Sequence, residues 1–345
     1  MTSVEELTVQ RMQTLYAPDE RVACFEVTVD TADQDGSERP STTLSGTVQT
    51  ERMRAATLEE LQRLHGDLDV HETLSVLEGT GDVLTTDRRV LPVRGDPRAD
   101  AEQVTQVLYG AVLTAYDRRE GWRRVRTPSG YLGWVDREAL TEPGSSEAKG
   151  VDSPATASEE WTADAAVVAA PAPIIRSEIA HETVPAGVDC CIESRDGDEV
   201  TVSFRTGARA TVPPGAVRER TEPRTGDEVV TVAKQFLDTP YEWGGMTADG
   251  IDCSGLVWIA HAALGLSLPR DADQQSELGG AVSREELEAG DLLFFPGHVA
   301  ISLGGTEYIH ASGSADAVTI NSLDPDDERY VESLEEDLSG TKRLL

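Results

Sequence analysis

The sequence predicts an α+β protein in which a small N-terminal α/β unit and two small β-rich units precede a larger α+β domain. Three observations carry this. Short β-type runs separated by Gly, Pro and Asp turns fill residues 87–142 and 163–221. A small, polar stretch, EPGSSEAKGVDSPATASEEW at 143–162, reads as a linker between them. From residue 222 helical patterns are followed by apolar strands, and 345 residues suffice for two to four domains.

Composition narrows the function classes. There are 63 Asp and Glu against 30 Lys and Arg, a formal charge of −33. Such a field repels a phosphate backbone, and no basic stripe offsets it, so no nucleic-acid partner is expected. Hydrophobic residues at 39% exclude a wholly disordered chain. No run approaches the roughly 18 apolar residues of a membrane helix, so no membrane span is expected. Lys occurs only at Lys149, Lys234 and Lys342, and every other basic residue is Arg. This balance resembles halophilic proteins from cells that hold molar salt, where a Debye length of about 3 Å screens self-repulsion. The cysteines Cys24, Cys190, Cys191 and Cys253 show no metal-ligand spacing, and two are adjacent. Neither a disulfide framework nor a metal site is expected. The start, MTSVEELTVQRMQ, lacks a basic region followed by an apolar one. No secretory signal is read, and the expected location is cytoplasmic.

Residues 1–86 form the N-terminal unit. Arg21–Thr31 and Thr42–Thr50 read as strands and Ala55–Leu64 as a helix, giving β-β-α. In 87–142, the LYG turn, the alternation VLTAYD, the EGW run and GYLGWV resemble a bacterial SH3-like barrel, with Gly where tight corners need it. In 163–221, VDCCIES, EVTVSF and ARATVPP read as strands of a second, more divergent SH3-like barrel. Cys190 and Cys191 then face opposite sides of one strand, in packing roles.

The domain at 222–345 carries the chemistry. A helix at Asp227–Leu237, with Val230, Ala233 and Leu237 on one face, is stopped by Pro240. The Gly-rich PYEWGG leads to Asp252-Cys253-Ser254-Gly255 and then to LVWIAHAAL, a helix closed by Gly265. Cys253 therefore stands at a helix N-terminus. There the macrodipole and free N–H groups favour a thiolate and offer donors to an oxyanion. Downstream, DLLFF reads as a buried strand, and HVAIS and EYIHA as strands joined through Gly304-Gly305. These strands supply His298 and His310. The order Cys, His, polar third group is that of a papain-like site, where His takes the thiol proton and the third group orients the ring.

The motifs PYEWGG, DCSG, LPRD, GDLLFF, GHVAI and YIHA, in that order across residues 226–313, resemble the NlpC family of papain-like cysteine peptidases. The resemblance implies a papain-like, NlpC-type fold, an antiparallel sheet packed against helices with the Cys helix at its centre. It implies Cys253 as nucleophile, His298 as general base and acid, and His310 as the group orienting His298. Tyr241 matches a tyrosine whose hydroxyl lies near the oxyanion site. Two SH3-like barrels ahead of such a domain are similar to the subgroup of γ-D-glutamyl-L-diamino-acid peptidases. These cleave short cell-wall peptides with a free N-terminal L-alanine and use a barrel to cap the cleft. That likeness implies Asp271 as the carboxylate that holds the substrate ammonium by charge-assisted hydrogen bonds. It also implies Asp252, Ser254 and Trp243 as substrate contacts, Tyr131 as the capping tyrosine and Glu102 as a barrel carboxylate. No metal or organic cofactor is implied, and the partner is a short peptide with a free N-terminal amine. The chain departs from the pattern at Ala272, where a small hydroxyl residue is usual, and in its 86-residue N-terminal unit.

Other residues read as structural. His261 and Trp258 fall in the apolar helix as core residues, and His65, His71 and His181 as non-catalytic. Asp271 and Asp252 also fit as helix N-caps, and Ser283 with Glu286 as a capping box. Two rival readings stay open at this point. One is a broader murein endopeptidase, amidase or acyltransferase on the same fold. The other is a non-catalytic protein whose barrels bind cell-wall peptides.

Overall fold

The structure is a computed structural model that describes residues 3–31, 41–64, 68–144, 165–222 and 224–345. Most of the linker expected at 143–162, and His65, lie outside the described residues. Among the described residues no helix is long and apolar enough to cross a membrane.

The N-terminal unit is richer than the expected β-β-α. It runs helix α1 (Val4–Tyr16), strand Phe25–Thr31, strand Ser41–Val48, helix α2 (Glu51–Leu64) and strand Asp69–Val76. The first two strands are antiparallel, and the third pairs in parallel with Ser41–Val48, so α2 is the crossover between them. The two additional elements are poor in apolar residues. Helix α1 buries only Thr8, Val9 and Met12. The last strand sets Val70, Leu74 and Val76 against the core and exposes the alternate row. The start of α1 does carry a legible mark. Ser3 Oγ accepts from Glu6 N–H at 3.1 Å while Glu6 Oε2 accepts from Ser3 N–H at 2.7 Å, a capping box.

Two six-stranded antiparallel sheets follow. The first orders Asp82–Leu84, Leu113–Arg119, Trp122–Arg126, Leu132–Asp136, Val90–Arg94 and Gln103–Leu108. Val93, Val107, Leu113, Ala115, Val125 and Val135 fill its interior. Its first strand lies upstream of residue 87, inside the stretch read from sequence as the N-terminal unit. The second sheet spans Ala165–Val168 to Val217–Glu219. There Cys190 is buried and its neighbour Cys191 half-buried, as strand alternation requires.

The last domain holds a six-stranded antiparallel sheet. Its order is Gly280–Ala281, Gly340–Arg343, Ala289–Phe295, His298–Gly304, Glu307–Ser312 and Ala317–Ser322. Helices α3 (Gly226–Ala233) and α4 (Cys253–Ala262) pack on this sheet and on each other. Helix α3 is shorter than expected. It gives way to a 3-10 turn at Lys234–Phe236, and Asp238 takes φ +64°. Leu237, expected on the buried face, is therefore turned outward and 38% exposed. Every residue of α4 is buried, which explains its apolar character all round. Gly265 takes φ +74° beyond its end, and Leu266 N–H returns to the His261 carbonyl. His261 donates from Nδ1 to the Val257 carbonyl and Trp258 from Nε1 to the Leu268 carbonyl, so both are satisfied core residues. One continuous apolar core joins Val188, Cys190 and Phe204 of the second sheet to Leu256 and Ile259 of α4 and to Val299 of the third sheet.

Gly255 lies in the first turn of α4, where Ala is ordinarily the better helix former by about 1 kcal/mol. A Cβ there would stand 2.2 Å from the Gly245 carbonyl oxygen, a backbone atom with no rotamer to yield. Gly255→Ala is therefore expected to destabilise the fold by about 1–3 kcal/mol. The measurement is the midpoint of thermal or denaturant unfolding, and a raised midpoint would contradict this packing.

Candidate active site

The site is built on the start of α4. Asp252 caps the helix in an extended conformation, with Oδ1 accepting from Gly255 N–H at 2.6 Å and Oδ2 from Gly244 N–H at 2.8 Å. Arg270 grips the same carboxylate through Nη1 at 3.0 Å and Nη2 at 2.7 Å. Its other contacts are Ser254 Oγ (2.8 Å), the Gly245 carbonyl (3.3 Å) and Thr105 Oγ1 of the first barrel (3.0 Å). Arg270 is 1% exposed, and all five of its N–H groups are used, the condition a buried guanidinium needs. Asp252 lines the cavity described below, yet both its oxygens are committed to this network. The capping role read for Asp252 is present, together with an ion pair to Arg270. Sequence reasoning quoted LPRD but assigned Arg270 nothing.

Next to the Cys helix stand two histidines on neighbouring strands. Asn321 Nδ2 donates to the Arg329 carbonyl at 3.0 Å, which leaves Asn321 Oδ1 to accept from His310 Nε2–H at 2.9 Å. His310 Nδ1 then carries a lone pair and accepts from His298 Nε2–H at 2.7 Å. Each tautomer is fixed by the one before it. The chain ends at an unprotonated His298 Nδ1, the atom able to take a thiol proton. Asn321 is a fourth member that the sequence reading missed. It lies across the strand pair from Tyr308, diagonal to His310, within reach of a cross-strand side chain.

Two opposing influences act on the Cys253 thiol. Helix-end placement predicted a thiol biased toward thiolate. In the structure Cys253 is 7% exposed. Burial, with the Asp252 charge adding to it, pushes the thiol up to about 11, against the opposing Val299 and Ser254 amides and Arg270. Burial and the neighbouring His310 hold His298 down to about 4. Burial thus opposes the charged form of each group. Burial, then the charges of Cys253 and Asp252, push the Tyr241 phenol up to about 12, which keeps its hydroxyl a donor near the sulfur.

Cys253 and His298 share a cavity of about 530 Å³. Ser254, Asp271, Trp243, Tyr131 and Glu102 line the same space, so the structure gathers the expected contacts from two domains. Tyr131 is buried, whereas Trp243 is 59% exposed and stands at the rim. Gln103 of the first barrel donates to the Trp243 carbonyl and to Glu242, tying barrel to rim. Burial pushes the Asp271 carboxyl up, and Arg270 and Arg21 oppose this. Arg21, from the N-terminal unit, donates to Asp271 Oδ2 at 2.8 Å, and nothing in the local sequence pointed to it. His310 and Tyr241 do not line the cavity, and neither do His71 and His181.

The NlpC/P60 family pattern matches residues 238–333, and the bacterial dipeptidyl-peptidase Sh3 domain matches residues 93–140. The chain is 42% identical to dipeptidyl-peptidase 6 of Lysinibacillus sphaericus over 109 residues, which is 31% of this chain and 40% of that protein's length. It is 27% identical to a γ-D-glutamyl-L-lysine dipeptidyl-peptidase of Bacillus cereus over 268 residues, 70% of this chain and 75% of the relative. A probable endopeptidase of Corynebacterium glutamicum is 32% identical over 179 residues, 49% of this chain and 84% of the relative. Among solved structures, an NlpC/P60 family protein from Bacillus cereus shares the fold with a TM-score of 0.64 at 23% identity, covering 76% of this chain and 100% of the other.

Three buried histidines make stability depend on pH. Burial holds His261, His298 and His310 below the ordinary histidine value. In the unfolded chain each titrates near pH 6.5. On acidification from about 6.5 the unfolded chain binds protons that the folded chain refuses, so stability present above 6.5 is lost as pH falls through the folded values. His261→Leu removes one such group without touching the cavity. It should flatten the fall in unfolding free energy over this window by up to about 1.4 kcal/mol per pH unit. An unchanged slope in urea titrations at several pH values would show that folded His261 accepts the proton.

Proposed function

The chain belongs to the NlpC/P60 family of cysteine peptidases, and we propose that it hydrolyses the γ-D-glutamyl–diamino-acid bond of short cell-wall-type peptides with a free N-terminal L-alanine. One observation carries the reading. The cavity that holds Cys253 and His298 is also lined by Tyr131 and by carboxylates, among them Asp271 and Glu102. A thiol nucleophile and an ammonium-selecting end within one space suit a peptide bound by its free amine. The name of the Bacillus cereus relative, a γ-D-glutamyl-L-lysine dipeptidyl-peptidase, supports the same bond.

In this mechanism His298 Nδ1 takes the Cys253 proton as the sulfur attacks the γ-carbonyl carbon. N–H groups at the start of α4 and the Tyr241 hydroxyl stabilise the oxyanion. Collapse of the tetrahedral intermediate breaks the C–N bond, and His298 protonates the leaving amine. Water, deprotonated by His298, then hydrolyses the thioester and frees the sulfur. His310 and Asn321 hold the imidazole in the tautomer each step needs. The carboxylate excess favours a working site in a salt-rich cytoplasm, where screening relieves the surface charge.

Cys253→Ala should abolish hydrolysis of L-Ala-γ-D-Glu-L-Lys while leaving the circular dichroism spectrum intact, and retained turnover would refute the nucleophile. Asn321→Ala should lower kcat by on the order of tenfold or more with little change in KM, because it frees the histidine pair to rotate. N-acetylation of the peptide should cut kcat/KM by at least about tenfold, the worth of one charge-assisted hydrogen bond. Equal rates for the free and acetylated peptides would remove Asp271 as the amine holder.

A further inference from the structure

Arg21 lies 250 residues from Asp271 in sequence, yet its guanidinium stands at one end of the catalytic cavity. Its five N–H groups are all committed to three carboxylates. Nε and Nη2 donate to the two oxygens of Asp19, each at 2.9 Å. Nη1 donates to Asp271 Oδ2 at 2.8 Å and to Asp273 Oδ1 at 2.9 Å, and Nη2 also reaches Asp273 Oδ2 at 2.6 Å. The segment is pinned from both sides. Leu132 N–H, next to Tyr131, donates to the Arg21 carbonyl at 2.6 Å, and Arg126 Nη2 donates to the Val22 carbonyl at 3.0 Å. From the catalytic domain, Gln274 Nε2 donates to Asp19 Oδ2 at 2.7 Å.

Two spaces meet at this side chain. Beyond it, an open groove of about 680 Å³ runs beside the end of α1, lined by Gln13, Thr14, Ala17 and Glu20. The groove and the catalytic cavity both count Arg21 and Asp273 among their walls. A peptide that placed its amine at Asp271 would meet Arg21 and Asp273 on the side where the two spaces adjoin.

We propose that Arg21 is a specificity-determining residue, the wall that ends the cavity beyond Asp271 and limits substrates to a single residue ahead of the γ-glutamyl unit. The inference rests on the substrate class proposed above and assigns the N-terminal unit a part in it. With its donors saturated, the guanidinium has no N–H left for the carbonyl of an added residue. It bonds only Oδ2 of Asp271, so the same side chain that blocks longer peptides leaves Oδ1 outside its grip.

The test compares wild type, Arg21→Ala and Arg21→Lys on L-Ala-γ-D-Glu-L-Lys and on the same peptide lengthened by one N-terminal glycine. In Arg21→Ala the ratio of kcat/KM for the lengthened over the parent peptide should rise at least about tenfold, through a lower KM for the longer substrate. Arg21→Lys, which keeps a cation of similar reach, should rise less. Asp273→Asn, at the solvent side of the partition, should move the ratio in the same direction and serves if Arg21→Ala fails to fold. An unchanged ratio in the folded variants overturns the proposal. A second readout does not depend on the substrate class: the rate of Cys253 alkylation by a bulky iodoacetamide relative to iodoacetamide itself. That ratio should rise when the wall is removed, and no rise overturns the proposal. If wild type cleaves neither peptide, the substrate assignment fails alone, and the alkylation ratio still decides the role of Arg21.

Discussion

The buried pair between Asp252 and Arg270 is the constraint on which the rest of the site depends. Its carboxylate caps the Cys helix, fixes the turn at Gly244, and accepts two bonds from one guanidinium. Such a pair contributes little net stability compared with a well-packed apolar substitute, but breaking it strands a charge at a cost of about 3–5 kcal/mol. Its value is therefore geometric. Arg270 reaches Thr105 in the first barrel and Ser254 beside the nucleophile through the same guanidinium. The position of the sulfur and the position of the barrel wall opposite it are set by one rigid, planar group.

A thiol set as deeply as that of Cys253 ionises less readily. The same burial that excludes water from Cys253 raises its thiol and lowers His298. Moving a single proton from sulfur to imidazole converts two neutral groups into an attracting ion pair, so neither has to bear an isolated charge. The relay through His310 to Asn321 matters for this reason. In the proposed mechanism the His298 imidazole becomes cationic in a poorly solvated place and needs its far N–H directed at an acceptor, and His310 Nδ1 is that acceptor. His310 is itself only 2% exposed, so Asn321 and the Arg329 carbonyl complete the chain toward the surface.

Much of this was legible because its signals are local. The capping Asp before an apolar run placed Cys253 at a helix start, and Gly304-Gly305 marked the hairpin that brings His298 and His310 onto neighbouring strands. What escaped was either polar or distant. Helix α1 and the strand Asp69–Val76 bury too few apolar residues to show a strong period. Leu237 fitted a helical face until a 3-10 turn and the positive φ of Asp238 rotated it outward. Asn321 carries no mark within the run TINS, because its role comes from strand register rather than neighbouring sequence. Arg21 meets Asp271 only through the docking of separate units. Asp252 was legible as the helix cap, but its ion pair with Arg270 depends on a residue 18 positions away.

The near absence of Lys and the way these units are fastened are one design. Arg21 joins the N-terminal unit to the catalytic domain, Arg270 joins the first barrel to it, and Arg218 bonds Glu228 of α3 at 2.5 Å from the second barrel. Arg343 forks onto the buried Asp291 at 2.8 and 2.7 Å within the last domain. A chain with a formal charge of −33 repels itself, and salt screens such repulsion and long-range attraction alike. Fasteners that relied on long-range attraction would be weakened by the same salt. Planar guanidinium forks act at contact distance with fixed direction and are more weakly hydrated than an ammonium. Their hold comes from contact geometry, which the surrounding carboxylate excess leaves in place at the joints that shape the cavity.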